Sequence, residues 1–165
     1  MRALLDVNVL IALHDRDHVH HVHHVHHVHH VHHVHHFHHD RATRWLEAHI
    51  EHGWASCPLT QNGCLRIMSQ PSYPQHQSMD TLLTMLRQAV NGAAHALWPD
   101  DISLLDATHF RHAHIHSPRP LTDLSLLALA VQRGGRLVSF DQRVPLSAVP
   151  LAGQEHLVLL ESFDS

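Results

Sequence analysis

The order of elements between residues 121 and 141 constrains the fold of this chain more than any other feature. Apolar residues recur at helical spacing after Asp123, and two consecutive glycines then end the helix, because glycine adopts the left-handed C-terminal conformation at little cost. Residues 136–140 form a short apolar run typical of a buried parallel strand. We expect Thr122 or Asp123 to cap the helix, and Asp141 to lie just past the carboxyl end of the strand.

The amino-terminal residues repeat part of this pattern. A short apolar strand is predicted before Asp6, and a helix is predicted to begin at Val7. Asn8 stands at the head of that helix, where its amide can orient a site or cap the turn. Ligands of open α/β sheets bind in the crevice at the carboxyl ends of the strands. We therefore expect Asp6, Asp123 and Asp141 to converge on one crevice.

Strands and helices alternate along the rest of the chain, which predicts an α/β fold with a mostly parallel sheet. The length of 165 residues suits a single domain, residues 1–165, with a sizeable core. The remaining predicted strands cover residues 53–57, 96–98 and 156–160. The remaining predicted helices cover residues 40–50, 60–69, 78–90 and 103–112.

Residues 18–39 are a low-complexity insertion in which valine, and finally Phe37, separates pairs of histidines. A three-residue period drifts by about 60° per repeat around an α-helix, so it makes no fixed apolar face. The insertion either extends the following helix backwards or forms a loose arm, and we expect a frayed helical extension. The simplest origin is a tandem repeat expanded in a connection between two helices. Dense imidazoles also favour adventitious binding of Zn²⁺, Ni²⁺ or Cu²⁺. The candidate ligands are His20, His21, His23, His24, His26 and His27.

Composition and net charge limit the classes of function that are open to this chain. A formal net charge of −4 is unlike that of a strong, general nucleic-acid binder. Every fixed positive side chain is nevertheless an arginine, which suits bidentate phosphate contacts. No apolar run approaches the ~20 residues that a membrane helix needs. The two cysteines match neither a disulfide framework nor a CxxC metal site. We expect a protein of the reducing cytoplasm, without a signal peptide or a membrane partner.

Four longer motifs stand in a specific order: LLDVNVLIAL, CPLTQNGCLRIMSQP, WPDDISLLD and LTDLSLLALAVQRGGRLVSFDQRVPL. This series resembles the PIN-domain ribonuclease toxins called VapC, and it covers nearly all of the chain outside residues 18–38. The resemblance implies a PIN-like three-layer α/β sandwich. It also implies a metal-dependent RNA endonuclease that a co-expressed antitoxin protein holds inactive, and usually a homodimer.

The resemblance assigns the acidic site, as catalytic residues and metal ligands, to Asp6, Asp123 and Asp141. A fourth acid often stands where this chain has Gln61, so three negative charges are expected to hold one Mg²⁺ or Mn²⁺ with water, and a second metal stays open. Such a cation neutralises a phosphate and lowers the pKa of bound water. The expected supporting residues are Asn8, Gln61, Thr122 and Ser139. The expected phosphate contacts are Arg119 and Arg143.

A second hypothesis comes from a different class of protein. The chain is then a histidine-rich metal-binding or metal-sensing protein on a decayed nuclease scaffold, with Gln61 as the sign of decay. Any single aspartate has the alternative role of an ordinary helix cap or strand-end residue. Three aspartates within the ordered motifs favour the nuclease. Mg²⁺-dependent RNA cleavage that disappears in Asp6→Asn distinguishes the two hypotheses.

Overall fold

The computed structural model describes residues 1–15 and 26–160, and within residues 26–37 it describes the backbone alone. Strands, helices and isolated 3₁₀ turns alternate through these residues. The strands are β1 (Ala3–Leu5), β2 (Trp54–Ser56), β3 (His95–Leu97), β4 (Arg136–Ser139) and β5 (Leu157–Leu159). The helices are α1 (Val7–His14), α2 (His26–His49), α3 (Pro58–Met68), α4 (Met79–Val90) and α5 (Leu121–Gln132).

The five strands form one parallel sheet in the order β3-β2-β1-β4-β5. Strand β1 lies at the centre, where Leu4 pairs with Ala55 on one side and with Leu137 on the other. This confirms the predicted α/β fold and its parallel sheet. The carboxyl ends of β1 and β4 therefore lie side by side, and the residues that follow them reach the same edge of the sheet.

Helices cover both faces of the sheet, because alternate strand residues point to opposite faces. Leu4 and Leu137 pack with the buried residues of α5 in one apolar cluster. Leu5 and Val138 pack in a second cluster with residues of α1, α2, α3 and α4. The result is the three-layer arrangement that was expected. None of the helices in the described residues combines the length and apolar character needed to cross a lipid bilayer.

Helix α2 confirms that the histidine-rich segment extends the following helix backwards, from His26. His38 stacks on Phe140 at the carboxyl end of β4, with 4.2 Å between the ring centroids. Trp45 lies under the Arg136 guanidinium, 5.0 Å away, at the amino end of the same strand. Residues 38–45 of α2 thus span the sheet. Residues 26–37 extend beyond the edge of the sheet at which β4 ends, by about 18 Å at the usual helical rise.

Two of the expected histidine ligands lie in the described part of the chain, and four lie outside it. His26 and His27 begin α2, and nothing is described of their side chains. The others lie outside the described residues: His20, His21, His23 and His24.

Residues 103–112, predicted to be helical, instead form consecutive turns, so this prediction was wrong. The Asp106 carboxylate accepts hydrogen bonds from both the backbone N–H and the hydroxyl of Thr108, at 2.9 and 2.7 Å. The Ser103 hydroxyl accepts from the backbone N–H of Leu105 in the same manner. Such local side-chain bonds compete with the helical backbone ladder and favour turns.

The start of α5 also differs from the prediction that Thr122 or Asp123 caps it. Pro120 is the N-cap residue, and its carbonyl accepts the first helical bond from Leu124. Thr122 and Asp123 therefore lie inside the first turn. A carboxylate there is favoured by the unpaired N–H groups and the positive end of the helix dipole. The helix ends as expected, with Gly134 at a φ of 69°.

Candidate active site

The three predicted carboxylates meet at the edge of the sheet where β1 and β4 end. Asp6 follows β1 directly and caps α1, because its Oδ1 accepts from the Val7 backbone N–H at 2.7 Å. Asp141 lies two residues beyond β4, and Asp123 reaches the same place from the first turn of α5. Asp123 interacts with both of the other carboxylates. The structure therefore brings together all three acids that the sequence analysis selected.

The Ser139 hydroxyl links two of these acids. Ser139 is fully buried at the end of β4, and its Oγ donates to Oδ2 of Asp6 at 2.6 Å. The same oxygen accepts from the backbone N–H of Asp141 at 2.9 Å. One side chain therefore fixes the orientation of the Asp6 carboxylate and the path of the chain into Asp141. The expectation that Ser139 supports the site has a geometric basis in these two bonds.

Asn8, on α1, contacts the residues at the end of β4 and just after it. Its Oδ1 accepts from the Phe140 backbone N–H at 3.3 Å, and its Nδ2 lies 3.5 Å from the Ser139 hydroxyl. His38, at the end of the histidine-rich insertion, stacks on the ring of Phe140. His39 fixes this part of α2 to α1 through a contact of 2.8 Å between its Nδ1 and the Ala12 carbonyl oxygen. Residues 139–141 are thus held from both α1 and α2.

The electrostatics of the crevice favour an additional positive charge. Burial raises the pKa of Asp6, although the Ser139 and Val7 hydrogen bonds oppose the rise. Burial, followed by the negative charge of Asp6, raises the pKa of Asp123 to about 8. Burial also acts to raise the pKa of Asp141, but the hydrogen bonds and charge of Arg143 outweigh it, so that this pKa is lowered. Crowded carboxylates without a cation therefore retain a proton on Asp123 near neutral pH.

The donor set fits a hard divalent cation. Carboxylate oxygens are the ligands that Mg²⁺ and Mn²⁺ prefer, and Mg²⁺ usually keeps several waters beside one or two carboxylates. Among the side chains that the structure describes, those of residues 1–15 and 38–160, no three His, Cys, Asp or Glu are placed so that they could hold a metal ion by themselves. A cation in this crevice would need water or substrate oxygens beside the carboxylates to complete its shell.

The other expected site residues differ in how close they come to the carboxylates. Arg143 lies at the crevice, where its Nε is 3.2 Å from Oδ1 of Asp141 and most of its side chain is exposed. Arg119 is exposed just before α5, and Thr122 is exposed in the first turn of that helix. Gln61 lies on α3, and its Nε2 donates to the Ser56 hydroxyl at 2.9 Å. Neither Thr122 nor Arg119 has a described contact with the three acids.

Two residues that connect to Gln61, directly or through one another, were not predicted from the sequence. Ser56, fully buried at the end of β2, joins Gln61 to the His95 ring, whose Nε2 is 2.7 Å from the Ser56 hydroxyl. A serine within a short apolar strand carries no periodic signal that distinguishes it from a packing residue. The only available hint was its place at a carboxyl strand end, where the other site residues also lie.

Fold and site together define a parallel α/β protein of the PIN-like class, with an acidic crevice at the carboxyl edge of its sheet. Comparison with known proteins gives the family. Ribonuclease VapC44 of Mycobacterium tuberculosis H37Rv is 44% identical over 160 residues, which cover 97% of this chain and 100% of the relative. Ribonuclease VapC39 of the same strain is 36% identical over 149 residues, 90% of this chain and 94% of the relative.

Ribonuclease VapC38 of that strain is a third relative, 36% identical over 146 residues, which cover 86% of each chain. No protein-family model matches the chain. Identity of this extent over nearly the full length shows that the chain belongs to the VapC family. The predicted relationship is thereby confirmed.

Proposed function

We propose that this chain is a toxin endoribonuclease that cleaves RNA phosphodiester bonds with a Mg²⁺ or Mn²⁺ ion. The observation that carries the proposal is the convergence of Asp6, Asp123 and Asp141, from three separate parts of the chain, on one crevice. The names of its relatives, which are ribonucleases, support the substrate class. An intact set of three acids is not expected of the alternative, a metal sensor on a decayed nuclease scaffold.

Each acid has a distinct role in this proposal. Asp6, oriented by Ser139 and by the Val7 backbone, offers a fixed carboxylate to the cation. Asp123 carries a proton near neutral pH and must release it when a cation binds, since ligands bind in their deprotonated form. Asp141 is ionised and completes the set. A metal ion held by these three carboxylates would supply charge neutralisation for the phosphate and a water molecule of lowered pKa.

Arginines at the rim are proposed to bind the substrate backbone. Arg143 contacts Asp141 through Nε, and the exposed remainder of its guanidinium can donate to a phosphate oxygen. Exposed Arg119 is the second candidate. The family relationship further supports a cognate antitoxin protein as partner, a homodimer as the working form and the cytoplasm as the place of action. A co-purifying antitoxin that abolishes cleavage tests the first of these partners.

Cleavage of a defined RNA by the purified full chain tests the function. We expect cleavage with Mg²⁺ or Mn²⁺, none with EDTA, and loss of at least 100-fold in rate for Asp6→Asn, Asp123→Asn and Asp141→Asn. Asp80→Asn is the matched control, because Asp80 is exposed in the first turn of α4, away from the sheet edge. Circular dichroism confirms that each variant folds. Wild-type cleavage by folded Asp141→Asn would place the chemistry elsewhere.

A further inference from the structure

A chain of hydrogen bonds runs from Gln61 on α3 to His95 on β3 through one buried hydroxyl. The Gln61 Nε2 lies 2.9 Å from the Ser56 Oγ, and the same oxygen lies 2.7 Å from Nε2 of His95. The backbone of Val90 bonds the His95 ring as well. Trp54 meets the ring edge-on, at 4.5 Å between centroids. The imidazole is therefore held on three sides, and it is fixed relative to α3 through Ser56.

The directions of the protons in this chain follow from the chemistry of each group. A backbone carbonyl only accepts, so the His95 nitrogen that faces Val90 carries a hydrogen. Burial lowers the pKa of His95, so the ring is neutral and its Nε2 accepts. Ser56 then donates its single proton to His95, and its oxygen accepts only from an N–H of Gln61. This determines which way the Gln61 amide is turned.

From this geometry we propose that Ser56 and His95 are positioning residues that hold the Gln61 carbonyl oxygen toward the carboxylate crevice. Gln61 reaches Ser56 at the carboxyl end of β2, and β2 pairs with β1, which Asp6 follows directly. Further along α3, a Cβ added at Gly63 would lie 2.7 Å from a methyl carbon of Val7, so α3 also packs closely on α1. Gln61 therefore lies at the edge of the sheet where Asp6, the N-cap residue of α1, follows the neighbouring strand. In this proposal the Gln61 nitrogen is committed to Ser56, and the neutral carbonyl oxygen is the atom that faces the acids. The inference rests on the proposed metal-dependent function.

The experiment is a double-mutant cycle on Mg²⁺ affinity, measured by calorimetric titration of the full chain. Mg²⁺ is the probe because it prefers oxygen ligands to imidazoles, so the histidine-rich insertion contributes little heat. We expect Ser56→Ala and Gln61→Ala each to weaken Mg²⁺ binding about 10-fold, as outer-shell residues commonly do. The double variant is expected to bind no more weakly than either single one, because Ser56 acts through Gln61.

A second variant and a spectroscopic measurement test the proposal even if Ser56→Ala does not fold. His95→Phe keeps an aromatic ring against Trp54 but removes the acceptor for Ser56, so it is expected to weaken Mg²⁺ binding in the same non-additive way. Nitrogen-15 spectra of the histidine rings are expected to show His95 neutral, with hydrogen on Nδ1. An Nε2–H tautomer would reverse the order of donors and overturn the proposal.

The remaining outcomes separate this inference from the proposed function. Asp141→Asn is included in the titration and is expected to lose Mg²⁺ binding. If it does so while Ser56→Ala and His95→Phe bind as the wild type does, only the positioning role is refuted. Multiplicative losses in the cycle refute it as well. If Asp141→Asn and the wild type show equal Mg²⁺ affinity, the metal site itself is wrong, and the positioning role with it.

Discussion

Replacing Ser139 with alanine removes a side chain that contacts both Asp6 and the Asp141 backbone. The lost bonds are a 2.6 Å bond to a carboxylate oxygen and a 2.9 Å bond from a backbone N–H. A hydrogen bond to a charged group contributes about 1.5–3 kcal/mol, and a buried unpaired N–H costs about 1–3 kcal/mol. Because Asp141 is only partly buried, water can replace part of the second bond.

We therefore expect Ser139→Ala to lower the free energy of unfolding by about 2–3 kcal/mol, which leaves a protein of ordinary stability folded. The loss of the hydroxyl donor also raises the pKa of Asp6 further. The Asp6 carboxylate thus loses a hydrogen bond that orients it and is ionised less readily. Cleavage, or affinity for Mg²⁺, is expected to fall about 10- to 100-fold, the usual effect of removing a residue that orients a ligand.

The assay pairs urea denaturation at pH 7 with a rate measurement on a defined RNA. Ser147→Ala is the matched control, since Ser147 is exposed and follows β4 at a distance from the acids. The control is expected to change stability by less than about 0.5 kcal/mol. If Ser139→Ala matched the control in stability and cleaved at the wild-type rate, the hydroxyl would not organise the site.

Three further predictions concern Asp123, Gln61 and the histidine-rich insertion. The pKa of Asp123 is about 8 in the folded protein against an ordinary value of 3.8, so without metal its contribution to stability is lost as pH rises from about 4 to about 8. Thermal melts in EDTA should show that the melting temperature of Asp123→Asn rises relative to that of the wild type as the pH increases. A difference in melting temperature that does not change with pH would contradict the raised pKa. Gln61→Glu is expected to tighten Mg²⁺ binding by adding a fourth carboxylate; equal affinity in calorimetry would show that the side chain points away from the metal. Deleting residues 21–37 is expected to preserve folding and cleavage at pH 8 while removing most Zn²⁺ binding. Replacing His38 with alanine in this shortened chain removes the stack on Phe140 and should cost an additional ~0.5–1.5 kcal/mol in urea denaturation.

The parallel sheet and the acidic crevice were predictable because each depends on a local pattern that the chain repeats. A short apolar run followed at once by aspartate marks both β1 with Asp6 and β4 with Asp141. Parallel strands place their carboxyl ends together, so the sequence alone predicts that three distant acids share one crevice. The family resemblance added the likeness to metal-dependent nucleases, which spacing alone does not supply.

The features that escaped prediction depend on contacts between residues far apart in sequence or on competition within a turn. Nothing in the periodicity of residues 103–112 shows that the Asp106 side chain takes the bonds a helix would need. The Ser56–His95 contact joins residues 39 positions apart, and no local pattern records it. His38 likewise belongs by sequence to a repetitive insertion, but by position to the support of the crevice.

The docking of α2 has a consequence for the inheritance of the histidine-rich repeat. The described contacts with the sheet begin at His38 and continue toward the end of the helix. Adding or losing one His-His-Val unit upstream preserves the reading frame and changes the length of the projecting helix by about 4.5 Å, while the docked register stays the same. The number of His-His-Val units can therefore differ between related proteins without destabilising the docked part of the fold.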